Sequence, residues 1–508
     1  MILLENITKT FGAVNALDGV SFEIRPGEVH ALCGENGAGK STLMNILGGV
    51  WPHGTYSGSM RRRPKDSREG DVELCFRNVH DATRARIALV HQELAIIPDM
   101  PVIDNLFLGN EMAIAGILSR KKQYSVAKRH FAELNIRAPL QCAARELSIG
   151  LQQKLEIARA LLNDPEVLIL DEPTSALSTD EAEVLVEWIR DLARRGTACI
   201  YISHRMDEVF SLADRITVLR DGRSIWTRAA ARTTPDEVIE TMVDRPTADI
   251  YAHHPLPPGP PVLEVSDLKV SRQGTPLLDV GNFVVNEGEI VGLAGVMGAG
   301  RTCLLRSLVG ALDHASVEGR FRGPHDEAAG HAPRHPAEAL TRGLFLTPED
   351  RKLDALFMED DLATNITAAS SERYIHAGAV DQQRLNAACN AHLASYEVKA
   401  AALSAPVATL SGGNQQKILF CRAAEVSPKL LLLDEPTRGI DIGAKAAIYR
   451  QMEKWTREGW SILWSSSELP ELLGISDRIY VLAGGRITAE FKTRPFRDAD
   501  IMTKAAVA

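Results

Sequence analysis

At 508 residues the chain is longer than one hydrophobic core usually supports, so two domains of about 250 residues each are expected. Hydrophobic residues at 45% and charged residues at 24% exclude wholesale disorder, and no apolar run of about 18 residues is present to span a bilayer. A net charge of −9 argues against nucleic acid as the main partner, and seven scattered cysteines with no C-x-x-C pair fit reduced, buried thiols rather than zinc or disulfides. Residues 1–6 lack the charged-then-apolar layout of a leader peptide, so the reading keeps the chain in the cytosol.

In chain order, residues 1–24 show two stretches of strand-like alternation broken at Thr10-Phe11-Gly12, and Arg25-Pro26-Gly27-Glu28 turns into a third, apolar run, Val29–Cys33. Phe11 is a candidate platform for a nucleotide base, a core or edge-strand phenylalanine being the alternative. The third run feeds Gly34-Glu35-Asn36-Gly37-Ala38-Gly39-Lys40-Ser41-Thr42, a complete G-x-x-x-x-G-K-[ST] phosphate loop, with a helix expected from Ser41 to Leu47. Glycines let backbone N–H groups close around phosphate oxygens, Lys40 reaches the outer phosphates, and Ser41 offers a hydroxyl to Mg²⁺. The helix adds its positive end.

Trp51–Gly58 is turn-rich, and Arg61-Arg62-Arg63 is expected in a solvated basic loop. Ile87–Val90 reads as a buried strand delivering Gln92, a candidate for the metal or the attacking water. A helical, polar region from Asn105 to Glu146 closes at Leu147-Ser148-Ile149-Gly150, where a hydroxyl and N–H groups at a helix start can meet phosphate. The strand Val167–Leu170 then delivers Asp171, a candidate Mg²⁺ ligand, and Glu172, a candidate general base. Ala198–Ser203 is a further strand, ending at His204, where open α/β sheets place ligands.

The segment 251–261, rich in proline, reads as a short stiff linker with a solvated His253-His254 pair, separating domains 1–250 and 262–508. Beyond it the motifs recur in order: Gly295-Val296-Met297-Gly298-Ala299-Gly300-Arg301-Thr302, Pro348-Glu349-Asp350, Leu410-Ser411-Gly412-Gly413-Asn414, and Leu433-Asp434-Glu435. Lys40 and Arg301 stand 261 residues apart; Ser148 and Ser411, Asp171 and Asp434, and His204 and Ser467 each stand 263 apart. Five ordered motifs in near-constant register mean a duplication.

Phosphate loop, Gln92, Leu-Ser-x-Gly, Leu-x-Leu-Asp-Glu-Pro-Thr and His204, in that order and twice over, resemble the ATP-binding cassette of ABC transporters. Gly-Ala-Gly-Arg-Thr in the second loop, Pro-Glu-Asp-Arg-Lys at 348–352 and Leu-Ser-Gly-Gly-Asn-Gln-Gln at 410–416 resemble the ATPase subunit of bacterial monosaccharide importers, and Pro52–Gly58 resembles the xylose branch. The resemblance implies an α/β fold of two tandem P-loop ABC ATPase domains, each with a RecA-like core, an antiparallel β-subdomain and a helical subdomain. It implies ATP and Mg²⁺ as ligands, the halves pairing head to tail, and a place on the cytoplasmic side of the bacterial inner membrane. Membrane permease subunits would dock near Gln92 and Glu349, and a periplasmic sugar-binding protein would act indirectly.

The second half departs from the pattern at Arg301, Glu349, Ser467 and Arg272, which stand for Lys40, Gln92, His204 and Phe11. Ser178 likewise stands where the second half has Asp441. One hydrolytic site and one slow, nucleotide-binding site are therefore expected. A soluble tandem-cassette ATPase acting in translation is the competing reading, against which the short proline-rich join speaks.

Overall fold

The computed structural model describes residues 1–505 apart from 13, 65–69, 92–93, 115–116, 175–176, 178, 204, 245, 247–250, 252, 297, 377 and 441, and for residues 114, 179, 180 and 442 the backbone alone. Two compact units result, Met1–Thr247 and Ala248–Ala508. Among the described residues no helix is long and apolar enough to cross a membrane.

The first unit is built on a six-stranded sheet with Val29–Cys33 near its middle, flanked by Arg215–Arg220 and Ala198–Ile202, then Val167–Asp171 and Ile87–Val90 outward on one side and Arg223–Ala229 on the other. All its pairings are parallel except that of the last strand. Strands covered on both faces need continuous apolar runs rather than alternation. Val29–Cys33 and Ala198–Ile202 meet that need, with every residue buried. Each buried Leu, Ile or Val side chain contributes roughly 1.5–3 kcal/mol relative to exposure, so these strands fix the register. Ile202 lies beside Asp171, which brings the ends of two strands to one edge.

A second, antiparallel sheet pairs Ile2–Phe11 with Val14–Ile24 and with Ser57–Arg62. The strand-like alternation at the N-terminus is thus a long hairpin. Arg61 and Arg62 do not lie in a solvated loop as the sequence suggests: they end a strand paired to Leu3 and Ile2. Arg62 donates to the Ala85 carbonyl, and Arg63 pairs with Asp71 at 3.0 Å. A helical layer with its own core, including Phe107, Phe131 and Leu155, completes the unit.

The second unit repeats this plan. Its six-stranded sheet runs Leu344–Thr347, Leu430–Asp434, Ser461–Ser465, Ile290–Ala294, Arg478–Ala483, Arg486–Phe491, and its antiparallel sheet is built on Pro261–Arg272. The His253-His254 pair is not uniformly solvated: the His253 side chain is 2% exposed and sits 2.7 Å from Asp477, while His254 stays exposed beside Glu453. The proline-rich stretch hides this, because both partners lie some 200 residues away in sequence.

Candidate nucleotide site

The phosphate loop of the first unit joins Val29–Cys33 to the helix Lys40–Leu47. Its last glycine, Gly39, caps that helix at φ 99°, a left-handed conformation open to glycine at little cost. A Cβ there would sit 2.4 Å from the Ala16 carbonyl, and one on Gly34 would sit 2.5 Å from the Leu219 carbonyl. The loop is therefore pressed against its neighbours by backbone alone. Gly37, Asn36 and Ser41 face solvent, while Ala38 is buried beneath them. Lys40 Nζ donates to the Gly34 carbonyl at 2.6 Å and the Glu35 carbonyl at 3.0 Å, holding its charge over the loop. Thr42 is half-buried behind it.

Asp171 ends its strand beside this loop and accepts a hydrogen bond from Ser41. Burial pushes its carboxyl up, with Glu172 adding to the rise and Lys40 opposing it. Glu172 follows at φ 45°, its N–H donating to the Ile202 carbonyl at 2.9 Å. A non-glycine residue held in the left-handed region stores of order 1–3 kcal/mol, strain that clusters at functional positions. Glu435 repeats it at φ 49°. Gln92, His204, Ser178 and Asp441 lie outside the described residues.

The second unit places Gly295, Gly298 and Gly300 as the first unit places Gly34, Gly37 and Gly39, with Gly300 at φ 106° capping the helix Arg301–Leu308. The side chains differ. Arg301 pairs with Glu435 Oε1 at 3.1 Å and donates to the Ser466 carbonyl. Glu435 Oε2 accepts from the Ser467 N–H at 2.8 Å and hydroxyl at 3.0 Å. The carboxylate is thus clasped at both oxygens by groups of its own half. Burial raises its pKa while Arg301 pulls it down. Thr302 donates to Asp434 Oδ1 at 3.2 Å, as does Ser465 at 2.7 Å, and burial raises the Asp434 pKa as well. Arg272 takes the hairpin position of Phe11: Arg272 pairs with Thr275 as Phe11 pairs with Val14. Glu349 is held by Arg438.

Ser148 caps the helix Ile149–Leu161, accepting from the Leu151 N–H at 3.3 Å, and a Cβ on Gly150 would meet Glu181 at 2.6 Å. Ser411 opens the helix Gly412–Val426 and accepts from Asn414 at 3.1 Å, while Gly413 has open space where a Cβ would stand. These segments lie in the helical part of each unit, each on an exposed helix start.

Two positions with structural consequence escaped the sequence reading. Glu208, 7% exposed, accepts from Thr174 at 2.7 Å, Tyr201 at 2.6 Å and Ser203 at 3.3 Å, tying the turn after Glu172 to the strand end before His204. Glu471 repeats this with Thr437 and Ser466, both at 2.7 Å. Asn105 and Asn365 bind the backbones of Ile97 and Phe357 in the same way, just after Gln92 and Glu349. Glu208 and Glu471 stand 263 residues apart, in the repeat register, and Asn105 and Asn365 stand 260 apart, close to it, the signal that could have exposed them.

Comparison with known proteins agrees with this geometry. The family described as ABC transporter matches residues 17–175 and again 278–438. The chain is 40% identical to the xylose import ATP-binding protein XylG of Geobacillus kaustophilus (strain HTA426), over 99% of this chain and 98% of that protein. It is 41% identical to the ribose import ATP-binding protein RbsA of Bacillus subtilis (strain 168), over 99% of both chains. A solved complex of an archaeal ribosomal stalk protein with the archaeal ribosome recycling factor aABCE1 superposes with a TM-score of 0.59 at 17% identity, covering 98% of this chain and 92% of that one, and shares the fold alone. The chain belongs to the ABC transporter family, with two copies of the ATP-binding cassette in one polypeptide.

Proposed function

We propose that the chain is the ATP-hydrolysing, energy-coupling subunit of a monosaccharide importer, for a pentose or hexose and with xylose among the candidates. The observation that carries this is full-length identity of about two in five with both xylose- and ribose-import ATP-binding proteins, through two cassettes and the intervening segment. Relatives of both sugars match equally well, which supports leaving the choice of sugar to other subunits. The 17% identical structure from a ribosomal stalk complex shares the fold alone and lends the translation reading no more than that.

At the first cassette, the N–H groups of Gly34 to Thr42 and the Lys40 ammonium bind the ATP phosphates, and Phe11 seats the base. Glu172 takes the proton of the attacking water, with His204 and Gln92 orienting the outer phosphate and the water. Mg²⁺, when bound, would offset the charge on the phosphates, held through Ser41, Asp171 and Gln92. The donor set suits it, since Mg²⁺ is usually bound by one or two carboxylates plus substrate phosphates. In the second cassette a buried, unpartnered oxygen, Asp434 Oδ2, stands beside Thr302 and supports the same use. Ser148, Gly150, Ser411, Gly412 and Gly413 present hydroxyl and N–H groups for nucleotide phosphate.

The second cassette binds nucleotide through Gly295, Gly298, Gly300, Arg301 and Thr302 but turns over slowly, because Glu435 is engaged by Arg301 and Ser467. Membrane permease subunits are the partners, on the cytoplasmic side of the membrane, and a periplasmic sugar-binding protein acts through them. A groove of about 280 Å³ beside His91, lined among others by His80, Leu108, Glu156 and Arg159, supports docking close to Gln92. Reconstitution with the permease and binding protein tests the assignment. ATPase activity should rise on adding sugar-loaded binding protein; activity indifferent to it, with recovery on ribosomes instead, overturns the reading.

A further inference from the structure

We propose that Lys9 is a positioning residue for the nucleobase: together with Trp51 it fixes the Phe11 ring and so builds a three-part base seat found in the first cassette only. The proposal rests on the reading of Phe11 as the base platform.

Lys9 lies on the strand Ile2–Phe11 and is 7% exposed, an unusual state for a lysine. Among the described residues no carboxylate stands within ion-pair distance of it. Its Nζ instead donates to the Thr55 carbonyl at 2.6 Å and lies 4.9 Å from the Phe11 ring centre and 4.8 Å from that of Trp51. Both distances are in the range where an ammonium is attracted by an aromatic face. Phe11 and Trp51 meet edge to face, centroids 5.0 Å apart at 62°. Phe11 nevertheless stays 39% exposed at the hairpin end. An exposed ring on a hairpin tip would turn freely; one gripped by an ammonium and braced by an indole holds its orientation.

The seat is connected to the phosphate loop on two sides. Lys9 is the cross-strand partner of Leu17, whose Cδ2 would stand 2.7 Å from a Cβ on Gly39. Trp51 follows the phosphate-loop helix directly, its N–H donating to the Asn45 carbonyl at 3.1 Å. A base held on Phe11 is therefore placed relative to the loop by short, stiff connections.

The second cassette lacks all three parts together. Val270 stands at the register position of Lys9, pairing with Leu278 as Lys9 pairs with Leu17, and Arg272 stands at that of Phe11. The stretch after its phosphate-loop helix, residues 309–315, contains no Phe, Tyr or Trp. Lys9 is thus replaced together with the ring it faces and the indole that braces it.

The test is steady-state ATPase kinetics of the full chain carrying Lys9→Met, Lys9→Arg, Trp51→Leu or Phe11→Ala, with inorganic tripolyphosphate as a competitive inhibitor that carries no base. Lys9→Met should raise KM for ATP about 2- to 30-fold, the span of a lost cation–π contact, with kcat and the tripolyphosphate inhibition constant unchanged. Lys9→Arg should retain most of the affinity. If Phe11→Ala raises KM and Lys9→Met does not, the role of Lys9 is refuted while the platform stands. If Phe11→Ala leaves KM unchanged, the platform itself falls, and this proposal with it. Equal weakening of ATP and tripolyphosphate by Lys9→Met would assign Lys9 to the fold of the loop and overturn the proposal. Should Lys9→Met fail to fold, Trp51→Leu gives the same reading by the same pair of ligands.

Discussion

Exchanging one carboxylate oxygen for an amide in each cassette, Glu172→Gln and Glu435→Gln, should produce very different losses. Glu172 stands at a strand end beside an intact phosphate loop, and removing a positioned general base commonly costs about 10²–10⁴-fold in rate. Glu435 already spends both oxygens, one on Arg301 at 3.1 Å and the other on Ser467. To take a proton from water it must surrender the guanidinium. Two unit charges at that separation attract by about 5 kcal/mol at an effective dielectric constant of about 20, a barrier increment of roughly 10³- to 10⁴-fold. The second cassette therefore contributes little turnover to lose. The assay is ATP hydrolysis by the assembled transporter, with circular dichroism confirming that each variant folds. Glu172→Gln, like Lys40→Ala at the same loop, should leave about 1% of the activity or less, while Glu435→Gln leaves more than about half. Equal loss in the two carboxylate variants refutes the reasoning.

Arg301→Ala should lower stability by about 3–5 kcal/mol in urea titrations, because it strands Glu435, whose side chain is 7% exposed. The double variant with Glu435→Gln should recover most of that loss, and a neutral Arg301→Ala would show the pair to be dispensable. Asp434→Asn should stabilise the nucleotide-free protein at neutral pH, since burial raises the Asp434 pKa above 3.8. The native state then binds the extra proton, so stability falls as pH rises from 3.8 through the raised value. The advantage of Asn should accordingly be absent in acid and full at neutral pH, and a melting temperature difference independent of pH would contradict it.

The phosphate loops were legible because their constraints are local. A glycine at φ 99° and an apolar run covered on both faces can be recognised without knowing what lies across from them. The Asp-Glu pairs and the duplication were legible for the same reason, each being a short pattern in fixed order. What stayed hidden depends on contacts distant in sequence. Arg61 and Arg62 become strand residues because Leu3 and Ile2 lie across from them, and His253 is buried because Glu453 and Asp477 reach it. Composition cannot distinguish a basic loop from a basic strand end when the partner strand is 60 residues away. The grip of Arg301 on Glu435 was hidden too, since the partner lies 134 residues away in sequence. Segment length carried one more signal. Ile97 stands five residues after Gln92, but its counterpart Phe357 stands eight after Glu349, and the longer connection contains a π-helical turn, Arg351–Ala355. Such turns recur at functional sites.

The two cassettes also show which parts of the site are scaffold. Glu208 and Glu471 occupy the same position and bind the same two turns, although the chemistry around them has diverged. Each buried carboxylate needs a cation, and the halves supply it differently. In the first, Arg205 pairs with Glu208 from three residues away, its side chain 39% exposed. In the second, Glu468 stands at the place of Arg205, and the cation comes from Lys445 on the helix Ile442–Arg457, 4% exposed and 2.8 Å from Glu471. In the first arrangement the cation comes from the short helix's own start, three residues before Glu208. The second bolts the turn bearing Ser467 to a neighbouring helix through a lysine shared by Glu468 and Glu471. Burial works against the charge on that lysine, but Coulombic attraction to the two carboxylates outweighs it and raises its proton affinity. On the proposed role of His204, a turn that presents an imidazole to the phosphate favours the looser attachment. One that carries only a serine already bonded to Glu435 tolerates the rigid one, and the divergence of the cation therefore follows from the divergence of the chemistry.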